Sequence, residues 1–155
     1  MGGKSLGEAL LAIHRPYITE YDALIDADVD IKGLVHVTGG GLWDNPPRIL
    51  PDNVTVRITK GTWELPPLFK LIQKTGNVSD EEMAHVFNIG LGMLIFVSEE
   101  QVDKAGQVLG SLKQSQHQNL SSEYDGVYYR VGDVIARDCA EANNKPVVFN
   151  GTQKF

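Results

Sequence analysis

Apolar residues recur at helical spacing twice near the start of the chain, first as Leu6, Ala9, Leu10 and Ile13, then as Ile18, Tyr21, Leu24 and Ile25. This pattern predicts two helices broken near Pro16. A strand is predicted from Gly33 to Thr38, where the apolar run Leu34-Val35-His36-Val37-Thr38 meets three glycines. Leu42 to Leu50 can open as a short helix, and Arg48 to Asn53 is turn-like, with Pro51 and Asp52-Asn53 as breakers. Val54, Val56 and Ile58 then alternate with Thr55, Arg57 and Thr59, the period of a strand with one buried face.

Pro66-Pro67 opens a helix carrying Leu68, Leu71 and Ile72, with Gly76 as its expected stop. Ser79 and Glu82 have the spacing of a capping box, ahead of a stripe of Met83, Val86 and Phe87. Leu94 to Val97 reads as a buried strand. Ser98 with Gln101 suggests a second capping box, for a helix with Val102, Ala105, Leu109 and Leu112 on one face. Lys113 to Asp125 is polar and reads as a surface loop. Two strands are expected on either side of Gly132, at Val127–Val131 and Asp133–Ala136, with an edge strand at Pro146–Phe149 and a loose tail. Helices and strands are interleaved, so the class is α/β or α+β, a mixed sheet packed with helices. No repeat or linker divides the chain, and residues 1–155 are expected to form a single domain.

Composition narrows the function classes. The chain has 155 residues, 42% hydrophobic and 22% charged, which suits a globular domain with a real core. Its longest apolar run, Leu91 to Val97, is strand-sized, so no membrane partner is expected. The N-terminus lacks a basic-then-apolar secretory pattern, and the single cysteine, Cys139, allows no internal disulfide. A cytoplasmic protein fits best. One Cys and four scattered His give no zinc spacing, and no metal site is expected in this chain. The formal net charge of −6 argues against a general nucleic-acid binder. It leaves room for a small phosphorylated ligand, since a nest of backbone N–H groups can hold one phosphate on an acidic protein.

Gly39, Gly40 and Gly41 carry the main chemical signal. Consecutive glycines after a strand present several backbone N–H groups without side chains in front of them, a turn that can wrap an anion. A following helix N-terminus would add partial positive charge. The plain alternative is a tight structural turn. His36 and Thr38 would share one face of an alternating strand beside it. Asn88, Gly90 and Gly92 mark the entry of another strand; they either let backbones pack closely or turn the Asn88 amide into a site with the first glycine turn. Trp63 reads as a core anchor before a ligand stacker. Asp44 and Arg48, at i and i+4, can pair with each other, or Arg48 can reach an anion. His85 follows Glu81 by four residues, a sufficient surface explanation. No Ser-His-Asp set, paired-carboxylate signature or Walker A sequence is present.

Five ordered blocks together with the start of the chain resemble one family. They are His36-Val37-Thr38-Gly39-Gly40-Gly41-Leu42, Asn45-Pro46-Pro47-Arg48-Ile49-Leu50-Pro51, Trp63-Glu64-Leu65-Pro66-Pro67-Leu68-Phe69, Gly76-Asn77-Val78-Ser79-Asp80-Glu81-Glu82-Met83 and Phe87-Asn88-Ile89-Gly90-Leu91-Gly92-Met93. With Leu6 to Leu11, they resemble the C-terminal half of phosphoribosylformylglycinamidine cyclo-ligase, or aminoimidazole ribonucleotide synthetase. Departures lie beside the motifs: Ile13-His14-Arg15-Pro16-Tyr17, Pro46-Pro47 and Ile89 differ from the expected family pattern.

The resemblance implies an α/β (α+β) sandwich and an ATP-dependent ligase of purine biosynthesis, which closes the imidazole ring of formylglycinamidine ribonucleotide. It implies that ATP and Mg are held mainly by an N-terminal half with no counterpart here, and that the complete enzyme is a homodimer. The isolated piece is then expected to be inactive. The implied substrate-binding residues are Thr38, Gly39, Gly40, Gly41, Arg48, Asn88 and Gly90. His36 is the implied catalytic residue, acting either in proton transfer or as a hydrogen-bond donor to substrate. The alternative is a free-standing, non-enzymatic domain that binds a phosphorylated metabolite or docks on a partner.

Overall fold

The computed structural model describes residues 5–112 and 128–151. The surface loop expected from Lys113, His117, Val127 and the tail beyond Gly151 lie outside the described residues. The chain is α+β, and its described residues group into two compact units, one built from residues up to Leu34 with Ile95–Tyr128, the other from Val35–Leu94 and the residues from Tyr129 onward.

In the first unit, Ser5 sets the start of α1 (Leu6–Leu10). Its hydroxyl accepts the Glu8 amide at 3.3 Å, and Glu8 Oε2 accepts the Ser5 amide at 2.7 Å, so two otherwise orphaned donors are satisfied. Ile13, expected on the same stripe, lies beyond the helix and is 90% exposed. Helix α2 (Ile18–Asp26) buries Leu24, while Ile18, Tyr21 and Ile25 stay exposed. Asp28, in the left-handed region, turns the chain toward β1 (Ile31–His36).

Strand β1 pairs with β3 (Met93–Val97) in a two-stranded sheet. Helix α6 (Val102–Leu112) contributes Ala105 to a core with Leu24 and Val29, with Ile31, Ile95, Val97 and Leu109 packed around it. The capping box expected at Ser98 does not form. A 3-10 turn, Glu99–Gln101, precedes α6, and the Ser98 hydroxyl bonds the Glu100 carboxyl instead, holding its pKa below the usual range.

The second unit is organised by β2 (Val54–Thr59), the middle strand of a mixed three-stranded sheet. β4 (Gly132–Ala136) runs antiparallel with Val134 opposite Val56; β5 (Val147–Asn150) runs parallel with Phe149 opposite Ile58. The predicted edge strand therefore forms at an edge. The strand predicted ahead of Gly132 does not; Tyr128 to Val131 are irregular, with the Val131 carbonyl accepting the Thr59 amide at 2.8 Å. Val56, Ile58 and Val147 are buried, as alternation requires. Thr55, expected on the open face, is also fully buried, and its hydroxyl donates to the Lys145 carbonyl at 2.5 Å.

Helix α4 (Pro67–Gly76) takes in Gly76, expected just past its end, and Asn77 holds the left-handed capping position at φ 48°. Ser79 caps α5 (Asp80–Val86), accepting the Glu82 amide at 3.2 Å. Gln73 Nε2 donates to Asp80 Oδ1 at 2.7 Å and ties the two helices together. Ala84, with Met83, takes the buried place expected for Val86, which is exposed. Trp63 is buried and its Nε1–H donates to the Ile89 carbonyl at 3.0 Å, which makes it the core anchor. Among the described residues no helix is long and apolar enough to cross a membrane.

Across β2 and β4, the Arg57 guanidinium forks onto Asp133, Nε to Oδ1 at 2.9 Å and Nη2 to Oδ2 at 2.5 Å, and also bonds Glu141. The Arg57 hydrogen bonds hold the Asp133 carboxyl below the usual carboxylate range. A carboxyl lowered in the folded state stabilises fully above the unfolded pKa of about 3.9 and loses that stabilisation as pH falls through the folded value. Asp133→Asn is expected to flatten the acid limb of stability below about pH 4, read by urea unfolding at a series of pH values.

Candidate functional site

The glycine turn lies wholly in the second unit. β1 ends at His36 rather than Thr38, yet the alternation continues: Val35 and Val37 are buried, His36 and Thr38 exposed. Val37 N–H donates to the Gly92 carbonyl at 2.9 Å, so the two glycine-bearing segments of the sequence lie side by side. The turn takes left-handed values at Gly40 (φ 95°) and Gly41 (φ 55°), which L side chains rarely adopt.

Asn45 holds this turn. Its side chain is 2% exposed; Oδ1 accepts the Thr38 amide at 2.6 Å and Nδ2 donates to the Gly39 carbonyl at 3.1 Å. Gly41 N–H donates to the Thr38 carbonyl at 2.9 Å. The Gly41 amide is thus consumed inside the turn, whereas the Gly39 and Gly40 amides donate to no acceptor among the described residues. A Cβ on Gly39 would meet nothing within 4 Å. A Cβ on Gly41 would come 2.1 Å from the Ala84 carbonyl oxygen and 2.9 Å from that of Phe87. The glycine there lets the turn rest on the last turn of α5.

The helix expected from Leu42 to Leu50 is broken. α3 is a single turn, Gly41–Asp44, followed by a 3-10 turn, Pro46–Arg48, because Pro46 and Pro47 have no amide to donate. One turn is too short to build an appreciable macrodipole, so any anion affinity here rests on individual amides. The break also removes the i, i+4 spacing through which Asp44 could pair with Arg48. Asp44 Oδ2 lies 3.0 Å from His85 Nε2 on α5, so His85 faces Asp44 and not the Glu81 expected from helical spacing. Arg48 is exposed.

Asn88 uses its Oδ1 locally, accepting the Gly90 amide at 3.1 Å. Gly90 has φ 96°, and a Cβ there would sit 2.7 Å from Pro66 Cδ, so close backbone packing accounts for this glycine. Next to it Ile89 is fully buried at φ 45°. The structure therefore gathers Thr38, Gly39, Gly40 and Gly41 around Asn45, and brings Phe87, which precedes Asn88, against Gly41. Nothing local in the sequence assigns Asn45, Asp44 or His85 to a site. The one available signal was the buried amide itself, a polar residue between Leu42-Trp43 and Pro46 directly after a turn whose backbone groups needed partners.

Residues 3–118 match the family described as AIR synthase related protein, C-terminal domain. The chain belongs to this family. Its relatives include phosphoribosylformylglycinamidine cyclo-ligases from Nitrosospira multiformis (47% identical over 109 residues, 70% of this chain and 31% of the relative) and Carboxydothermus hydrogenoformans (49% over 109 residues, again 70% and 31%). The chloroplastic cyclo-ligase of Arabidopsis thaliana is 42% identical over 134 residues, 86% of this chain and 31% of the relative. The chain thus spans about a third of the length of the curated relatives it matches.

Within this family domain, the amide of Asn45 is expected to be worth far more than a surface hydrogen bond. Asn45→Ala leaves the Thr38 N–H and the Gly39 C=O without their partner, and should lower stability by about 2 kcal/mol. The shift of the urea midpoint at constant slope measures it.

Proposed function

We propose that this chain is the C-terminal, substrate-phosphate-binding part of an ATP-dependent cyclo-ligase that converts formylglycinamidine ribonucleotide to aminoimidazole ribonucleotide in purine biosynthesis. One observation carries the reading beyond family membership: Asn45 holds open a glycine turn whose Gly39 and Gly40 amides are not used by the fold, beside the exposed His36 and Thr38. Two successive backbone amides that the fold leaves without an acceptor, with open space at Gly39, suit a ribonucleotide phosphate. The relatives' name, phosphoribosylformylglycinamidine cyclo-ligase, supplies the substrate class.

In this reaction the formyl oxygen attacks the γ-phosphorus of ATP and ADP leaves. The amidine nitrogen then attacks the activated formyl carbon, a proton leaves that nitrogen, and phosphate departs with the former formyl oxygen. The product is the imidazole. The demands on the protein are alignment and stabilisation of spreading negative charge. On this reading the Gly39 and Gly40 amides and Thr38 fix the ribose phosphate, with Gly41 shaping the turn. The family resemblance adds Arg48, Asn88 and Gly90 to the substrate residues, with Asn88 Oδ1 spent on the Gly90 amide and Gly90 packed on Pro66. His36 takes the proton or donates a hydrogen bond to substrate.

Among the described residues no three His, Cys, Asp or Glu side chains gather as a metal site. On the family resemblance, Mg and the ATP phosphates are assigned to the part of the cyclo-ligase relatives that this chain does not span. The complete enzyme is taken to be a cytoplasmic homodimer. The lone Cys139 suits a reducing compartment, and the net charge of −6 disfavours nucleic acid as a partner.

Two outcomes test the reading. Gly39→Val places its side chain in open space, so folding should be unchanged while ribose 5-phosphate binds about tenfold more weakly, as expected for losing hydrogen bonds to a charged group. Equal affinity by calorimetry would remove the turn from the site. The 155-residue chain alone is expected to form no aminoimidazole ribonucleotide from ATP and substrate. Turnover by the purified chain would overturn the division of labour.

A further inference from the structure

The proposed phosphate turn has a carboxylate beside it. Asp44 Oδ2 lies 3.2 Å from the position a Gly40 Cβ would occupy, the same residue whose amide is offered to the ligand. An uncompensated carboxylate there repels a phosphate through the intervening solvent and protein. The same oxygen lies 3.0 Å from His85 Nε2, which carries positive charge when protonated. Both side chains are about half exposed, 53% for Asp44 and 50% for His85, so the pair contributes little to stability as a surface ion pair. Its placement is better explained by the electrostatics of the turn. Gly41 brings α3 against the α5 backbone at Ala84, and the next residue of α5 is His85. His85 is thereby carried to the carboxylate by the contact that seats the turn.

We infer that His85 is the counter-ion that lets the glycine turn accept an anion, acting through Asp44 as a positioning residue rather than touching the ligand. The inference deepens the assignment of Gly39 and Gly40 to a substrate phosphate and rests on it. Asp44 keeps His85 in place, and the ring, when protonated, offsets the field that Asp44 would otherwise direct at the site.

The test is binding of ribose 5-phosphate to the full chain, followed through the Gly39 and Gly40 amide resonances. His85→Gln should weaken binding about fivefold, the size expected for one unscreened charge in a largely aqueous setting. His85→Lys, with a fixed charge, should retain wild-type affinity. Asp44→Asn combined with His85→Gln should recover it, an outcome that a merely structural tie would not produce. Asp44→Asn alone should bind at least as well as wild type. Undiminished binding by His85→Gln, or a double variant no better than His85→Gln, overturns the inference and leaves the phosphate site standing. Absence of any wild-type shift at the two amides overturns both.

Discussion

The site depends on one buried side chain. Asn45 returns to the end of the strand segment and satisfies a donor at Thr38 and an acceptor at Gly39 with its two amide atoms. A turn of three glycines has the largest conformational entropy to lose of any such segment. Without a rigid partner it would sample many shapes, and its amides would converge in few of them. With Asn45 in place, the left-handed residues Gly40 and Gly41 are held by the fold, while the Gly39 and Gly40 amides are left without an acceptor among the described residues.

The second constraint is steric. Gly41 approaches the carbonyls of Ala84 and Phe87 more closely than any Cβ permits. The glycines of the triplet therefore have different duties: Gly39 is open, Gly40 bends the chain, and Gly41 makes contact. The Val37 to Gly92 hydrogen bond joins this turn to the entry of β3. Segments about fifty residues apart in sequence thus become one surface.

Much of the scaffold was legible in the chain because it follows local rules. The strand at Val54–Thr59, the Ser79 cap and the Pro67 helix start each depend on a few neighbouring residues and form where they are read, although Thr55 is buried with Val56 and Ile58. Where local signals compete, the outcome is less legible. Pro46 and Pro47 cut a helix that apolar spacing alone would continue; Asn77 displaced Gly76 at a cap because it also tolerates left-handed backbone. Ser98 bonded its neighbour Glu100 instead of the helix. The glycine turn was visible as a candidate, but its supports were not. Asn45 to Gly39 and Asp44 to His85 are side-chain contacts set by how α3 docks on α5, which no periodicity encodes.

Ile89 carries a consequence for how this domain can vary. A β-branched residue at φ 45° is rare and strained, and it persists only where its surroundings over-determine it. Here those surroundings are full burial and the Trp63 indole, which grips the Ile89 carbonyl. Removing the indole frees the strained peptide to relax, so changes at Trp63 and at Ile89 are not independent and their effects will not add. The route from β2 into α4 and the route from α5 into β3 are therefore locked as a pair, and drift in one is tolerated only alongside drift in the other.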